Sequence, residues 1–408
     1  MTKACPVCSS RNGRLLHAAA GVPIFMNRLF DSAVEARRTP TGPLEIVNCV
    51  DCGFAWNSSF DASLIVYDGE YENDQTHSPA FRAHVHERIG DILSAIPDAE
   101  PIDLLEVGCG QGVFLSEAAK QAGSRLRSAE GFDPAWRGDD GGGPGGCIIH
   151  KAYFEEKTAG RLRFKPNLVV TRHTIEHVPR PVSFLRTIRD ALGADSQARI
   201  FVETPSLPWI VENGAMQDLF YEHCSIFSEG ALIYALTVSG FDAATVRGVF
   251  GGQYLWATAK AGKPARAPRP RESLRVPRES AFATFVSTWR QRLRDASAIG
   301  PVAVWGAGAK GVTFSILVDP EGELIDHVID INPAKQGRFV GGSGARVLSP
   351  EQSLAIAPRT IFVMNANYLP EIAQQLTAAG SKAALISIEG PQVSSGLARP
   401  DPPDRNGG

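Results

Sequence analysis

Residues 102–112, Ile-Asp-Leu-Leu-Glu106-Val-Gly108-Cys109-Gly110-Gln-Gly112, constrain the fold more than any other stretch of the chain. The apolar run Ile102–Val107 reads as a strand buried on both faces, and three alternating glycines then lead into the helical spacing of residues 113–121. A buried strand that passes through glycines into a helix belongs to a parallel sheet covered by helices, because parallel neighbours need a crossover. Glycine allows the sharp turn and lets a ligand approach the main-chain N–H groups. The spacing is G-x-G-x-G, not the G-x-G-x-x-G that seats a pyrophosphate on a helix N-terminus. Glu106, two residues before Gly108, would repel a pyrophosphate and suits a ligand that carries positive charge.

The alternation continues downstream. Strands are expected at 168–171 and 198–203, and helices at 82–96 and 181–192. Asp133 follows Gly108 by 25 residues and should end the second strand, where a carboxylate can accept both hydroxyls of a ribose. After a helix over 282–298, a second α/β unit begins at Val302 and passes through Gly306, Gly308 and Gly311. Its glycines have the dinucleotide spacing, which is weak evidence alone. Further strands are expected at 327–330 and 360–364.

Cys5-Pro-Val-Cys8 and Cys49-Val-Asp-Cys52-Gly53 have the form of two zinc knuckles. Two intervening residues let both thiolates of a turn converge on one tetrahedral ion, and a hairpin or small sheet can fill the gap between the pairs. A redox CxxC would not need a second pair. Four thiolates leave no open coordination position, so a zinc held there is structural.

The chain thus divides into a zinc-binding module over 1–65, an α/β domain over 66–262, a Pro/Arg-rich linker over 263–282, a second α/β domain over 283–392 and a disordered tail over 393–408. A net charge of −3 argues against a dedicated nucleic-acid binder. No apolar run is long enough to span a bilayer and the start has no apolar signal core, so a cytoplasmic protein without membrane contact is expected. An odd cysteine count of 7 does not read as a disulfide framework.

With Glu106 before it and Asp133 beyond it, the glycine loop resembles that of class I S-adenosylmethionine (SAM)-dependent methyltransferases. The resemblance implies a Rossmann-like domain with SAM as cofactor. Glu106, Gly108, Cys109 and Gly110 would lie near the methionyl group, and Asp133 with Pro134 at the ribose. The family places a similar H-x-x-E-H-V stretch after the fourth strand, here His173 to Val178, which makes His173 a cofactor-side residue. Glu176 and His177 are as well suited to organising that loop.

The order of parts also resembles the three-domain sugar C-methyltransferases, which carry an N-terminal zinc module, a SAM domain with a Tyr-His-Glu-His stretch and a C-terminal Rossmann-like domain. Gly306-Ala-Gly308-Ala-Lys310-Gly311, Asp330-Ile-Asn332-Pro-Ala-Lys335-Gln-Gly-Arg338 and Asn365-Ala-Asn367-Tyr368 carry that likeness. It implies a nucleotide-linked keto-deoxysugar as acceptor and His223 as base, assisted by Glu222. Lys310, Lys335, Arg338 and Asn367 would lie on the nucleotide side. Phe220 stands where the family has a tyrosine, with Tyr221 next to it, and His77 aligns with another family tyrosine. These departures leave two other readings open: methyl transfer to oxygen or nitrogen of another small metabolite, and an inactive zinc-dependent interaction protein.

Overall fold

The computed structural model describes residues 3–194, 196–265 and 280–390. All but the ends of the expected linker, and the whole expected tail, lie outside these residues. The N-terminal part is built on strands β1 (Gly13–Pro23), β2 (Leu29–Phe30), β3 (Thr41–Cys49) and β4 (Ala55–Asn57). β1 and β3 pair antiparallel from Gly13↔Cys49 to Pro23↔Thr41, so a hairpin does fill the gap between the cysteine pairs.

Next come β5 (Ile102–Val107), β6 (Leu126–Phe132), β7 (Ile148–His150), β8 (Leu168–Arg172), β9 (Arg199–Pro205), β10 (Ser225–Ile226), β11 (Phe241–Val249) and β12 (Tyr254–Ala261). Seven of them form one sheet in the order β11-β12-β9-β8-β5-β6-β7. β5 to β9 run parallel, and β12 and β11 close one edge antiparallel. The strand order reverses at β5, which opens a crevice beyond the carboxyl ends of β5 and β8. All six residues of β5 are buried, as expected for a central strand covered on both faces. Helices Pro79–Ser94 and Val113–Ala122 cover one face through Phe81, Ile89, Phe114 and Leu115. The other face packs on Pro181–Ala191 and on the four-cysteine module, which shares a core with β8 and β9.

β10 does not join that sheet. It pairs antiparallel with β4, so the chain after β9 is stitched to the N-terminal part. Helix Ser280–Ser297 leads into β13 (Val302–Trp305), β14 (His327–Ile329), β15 (Phe339–Val340), β16 (Val347–Leu348), β17 (Thr360–Val363) and β18 (Ala384–Ser387). Five of these form a parallel sheet ordered β16-β14-β13-β17-β18, while β15 pairs with β2. The architecture is the expected one: two Rossmann-like α/β units and a small cysteine-bearing module.

Further contacts close the crevice. The Ser78 hydroxyl donates to Glu371 Oε1 at 2.7 Å and Tyr368 Oη donates to Gln75 at 3.0 Å. Glu72 joins both units, accepting from Arg137 Nη2 at 2.8 Å and Asn332 Nδ2 at 3.0 Å.

Candidate active site

Gly108, Gly110 and Gly112 all have positive φ, at 77°, 54° and 70°. A Cβ on Gly108 would also run into Thr174, whereas nothing lies within 4 Å of the position a Gly110 Cβ would take. Gly108 is therefore needed for packing and Gly110 for conformation, with its open side toward the crevice. Asp133 holds the turn from β6: its Oδ2 accepts from Gly110 N and its Oδ1 from Ala135 N, each at 2.8 Å. Burial raises its pKa, against the pull of those two N–H groups.

A cavity of about 700 Å³ opens over this loop. Glu106, Gly108, Cys109, Gly110, Asp133 and Pro134 line it, as does His173, so the loop residues and the carboxylate predicted from sequence come together. Glu106 is 2% exposed and its Oε2 has no hydrogen-bond partner among the described residues. Burial pushes its pKa up to about 8, opposed by Arg172. A buried carboxylate oxygen without a partner is costly unless a ligand meets it.

A smaller cleft of about 210 Å³ lies between the two α/β units. His173, His177, Tyr71 and Asn73 line both spaces, so the two adjoin. His173 has φ 49°, an uncommon conformation for a residue with a side chain. Its Nδ1 lies 3.6 Å from Glu176, and its ring packs edge-on against Tyr254. His177 Nδ1 is 2.8 Å from Tyr67 Oη, and Glu176 accepts from the Thr204 hydroxyl at 3.2 Å.

His223 lines the cleft with its ring 3.8 Å from that of Phe220 and 5.1 Å from that of His177. Its Nδ1 is buried without a hydrogen-bond partner among the described residues. Burial pushes its pKa well down, and His177 and His173 push the same way, so the ring is neutral with a lone pair to offer. Glu222 faces elsewhere. Its Oε2 accepts from Met26 N at 2.7 Å, its Oε1 has no partner among the described residues, and burial raises its pKa to about 8. Among the described residues no hydrogen bond joins this carboxyl to the His223 ring; it meets Met26 of the N-terminal part instead.

Several residues expected at the acceptor lie apart from it. Tyr221 is fully buried and lines neither space; its hydroxyl accepts from Asp61 N at 3.0 Å. Phe220 lines the cleft, whereas the Tyr221 ring packs 5.3 Å from that of Phe60. His77 does line the cleft, at its more open side, 3.7 Å from Asp74. Lys310 lines it too, but its amine already meets Asp218 at 2.9 Å and Glu389 at 2.5 Å. Lys335 lines the cleft with Nζ 3.3 Å from the Ala307 carbonyl and 3.6 Å from Asp330. Arg338 is outside the lining and reaches Asp31 and Glu70. Asn367 is also outside, donating to the Phe250 carbonyl at 3.0 Å.

Sequence reasoning missed Tyr67, Tyr71, Asn27 and Arg172. Asn27 Nδ2 donates to Tyr71 Oη at 2.9 Å, and both residues line the cleft. Burial and the nearby Glu222 raise the pKa of Tyr71, so its hydroxyl stays protonated. Two tyrosines in the run 67–78, which holds no other large apolar side chain, were the available signal.

The four sulfurs of Cys5, Cys8, Cys49 and Cys52 are buried and lie within 4.8 Å of one another. Cys5–Cys52 and Cys8–Cys49 are 3.7 and 3.5 Å apart, too long for a disulfide of about 2.05 Å. A tetrahedron with metal–sulfur bonds of about 2.3 Å has edges of about 3.8 Å, so the donor set fits zinc. Among the described residues no helix is long and apolar enough to cross a membrane.

A family model for a methyltransferase domain matches residues 81–246, and one for a C-methyltransferase C-terminal domain matches residues 280–387. The C-methyltransferase NovU of Streptomyces niveus is 25% identical over 390 residues, covering 90% of this chain and 90% of its own. A solved SAM-dependent methyltransferase of Thermotoga maritima, described as a possible histamine N-methyltransferase, is 15% identical with a TM-score of 0.33, over 44% of this chain and 90% of its own. The magnesium protoporphyrin IX methyltransferase of Synechocystis, solved with bound SAM, is 11% identical with a TM-score of 0.32, over 45% of this chain and 80% of its own.

Proposed function

We propose that this chain, whose residues 81–246 and 280–387 match models of a methyltransferase domain and a C-methyltransferase C-terminal domain, is a SAM-dependent C-methyltransferase that methylates a carbon beside the ketone of a nucleotide-linked deoxysugar, with His223 as the base. The observation that carries the reading is a neutral His223 in the cleft, its Nδ1 buried without a partner among the described residues and its ring 5.1 Å from that of His177, which lines both spaces. SAM supplies an electrophilic methyl group on a sulfonium. The free Oε2 of Glu106 suits its ammonium, the open side of Gly110 leaves room for the ligand, and Asp133 keeps lone pairs for the ribose.

Carbon becomes a nucleophile only when its weakly acidic proton is removed and the resulting enolate is stabilised. His223 Nδ1 takes that proton. Tyr71 is the oxyanion donor: Asn27 occupies its oxygen as an acceptor and leaves the O–H to point at the developing charge. Glu222 acts through position, since its carboxyl ties the segment of His223 to Met26. Gly306, Gly308 and Lys335 line the cleft and would meet the nucleotide end. Zinc held by Cys5, Cys8, Cys49 and Cys52 would fix the module that carries Met26 and Asn27.

The test is solvent exchange. A nucleoside-diphosphate-linked keto-deoxysugar is incubated with the protein in deuterated water without SAM, and mass spectrometry reads deuterium at the carbon beside the ketone. His223-dependent exchange is expected. Turnover on any acceptor without exchange would replace this reading by transfer to oxygen or nitrogen.

A further inference from the structure

We propose that Arg172 anchors the carboxylate of the cofactor's amino-acid part, so that Glu106 and Arg172 together read a zwitterion. The inference rests on SAM being the cofactor. The two residues lie on neighbouring parallel strands, β5 and β8, with Glu106 opposite Val170 and Val107 opposite Thr171. Both line the larger cavity. Arg172 is 9% exposed, and its guanidinium is fixed on two sides: Nε donates to Glu203 Oε2 at 2.6 Å, and the plane lies 4.5 Å from the ring of Phe114. Glu203 is itself fully buried. Burial works to raise its pKa, but Arg172 and His84 hold it well below the ordinary carboxylate range.

The remaining edge is not used. Among the described residues Arg172 Nη2 is buried without a partner, and so is Glu106 Oε2. A carboxyl and a guanidinium on adjacent strands of one cavity wall could have paired with each other; each instead keeps a free atom among the described residues. A ligand with an ammonium and a carboxylate on one carbon satisfies both at once, and a planar guanidinium is the side chain best suited to the carboxylate. Because Glu203 and Phe114 already hold Arg172 in place, little side-chain freedom is lost on binding.

Isothermal titration calorimetry on the full chain separates this role from a supporting one. Four ligands are compared: SAM, S-adenosylhomocysteine, decarboxylated SAM, which lacks only the carboxylate, and methylthioadenosine, which lacks the whole amino-acid part. The unaltered protein is expected to bind SAM on the order of 30-fold more tightly than decarboxylated SAM. Arg172→Gln should lose a similar factor for SAM and S-adenosylhomocysteine, keep its affinity for the other two, and regain part of the loss as Arg172→Lys. Equal affinity of the unaltered protein for SAM and decarboxylated SAM overturns the proposal, whether or not the variant folds. An equal loss for all four ligands overturns it too and makes Arg172 a support of the pocket. If the unaltered protein bound neither SAM nor S-adenosylhomocysteine, the cofactor reading beneath the proposal would fall with it.

Discussion

Asp133 and Asp330 occupy equivalent places in the two α/β units. Each lies 23 residues after a glycine-loop N–H, Gly110 or Ala307, and accepts from it through Oδ2 at 2.8 Å. In each, Oδ1 accepts from the N–H two residues on, again at 2.8 Å. What differs is the next neighbour. Lys335 Nζ stands 3.6 Å from Asp330, while Asp133 lines the larger cavity. Both carboxylates border a space, Asp330 the smaller cleft and Asp133 the larger cavity, but Asp330 has a lysine beside it.

Asp133→Ala is therefore expected to weaken SAM binding by roughly 10–100-fold, the effect of losing hydrogen bonds to a charged group. Metal content should not change. Asp330→Ala should leave SAM affinity as it is and lower thermal stability instead. Calorimetry with SAM and a melting curve for each variant check both arms; equal SAM affinity in Asp133→Ala and the unaltered protein would show that the ribose lies elsewhere.

The four-cysteine cluster predicts a coupling between metal and active site. Cys52→Ser, or chelation, is expected to remove one zinc per chain and to destabilise the N-terminal part by several kcal/mol, since binding energy at such a site is folding energy. Activity should fall as well, because Met26 and Asn27 hold Glu222 and Tyr71 from that part. SAM binding should persist, as the glycine loop and Asp133 lie in the other sheet. Zinc content by mass spectrometry, calorimetry and turnover measured together decide it.

Glu106 and Glu222 predict a pH dependence with a definite sign. Burial raises each pKa to about 8, whereas an unfolded glutamate titrates near about 4.3. Between those values the folded chain binds more protons than the unfolded one. Their contribution to stability is thus fully present below about pH 4 and is lost as pH rises through about 8. An ammonium beside Glu106 favours its ionised form, so SAM binding near pH 7 should release close to one proton from this residue. Calorimetry in buffers of different ionisation enthalpy measures that release, which Glu106→Gln should abolish.

Local chemistry was legible in the sequence and long-range pairing was not. The strand, glycine loop and acid at 102–133, the cysteine pairs and the helix expected over 282–298, found as Ser280–Ser297, follow from spacing within a few residues. The fate of Lys310 depended on Asp218 and Glu389, and that of Glu222 on Met26, all distant in the chain. Tyr221 in place of Phe220 was a choice no local pattern could make, since Tyr221 is held by Phe60 and Asp61 from the N-terminal part. Arg172 was passed over for a similar reason: its free edge is visible only once Glu203 and Phe114 are seen to fix the rest.

His223→Ala should leave SAM affinity near normal, because this residue lines the cleft and not the larger cavity. Turnover should fall by about 100-fold or more, the range for loss of a general base, and solvent exchange should stop with it. The pKa of His223 lies well below the usual histidine value through burial and the neighbouring His177 and His173. The base is therefore neutral throughout the neutral range, and the acid limb of kcat/KM should lie below about pH 6.5, the unperturbed histidine value. A variant that keeps full exchange, or a profile whose acid limb lies well above that value, would remove His223 from the proton transfer and leave it a packing partner of Phe220.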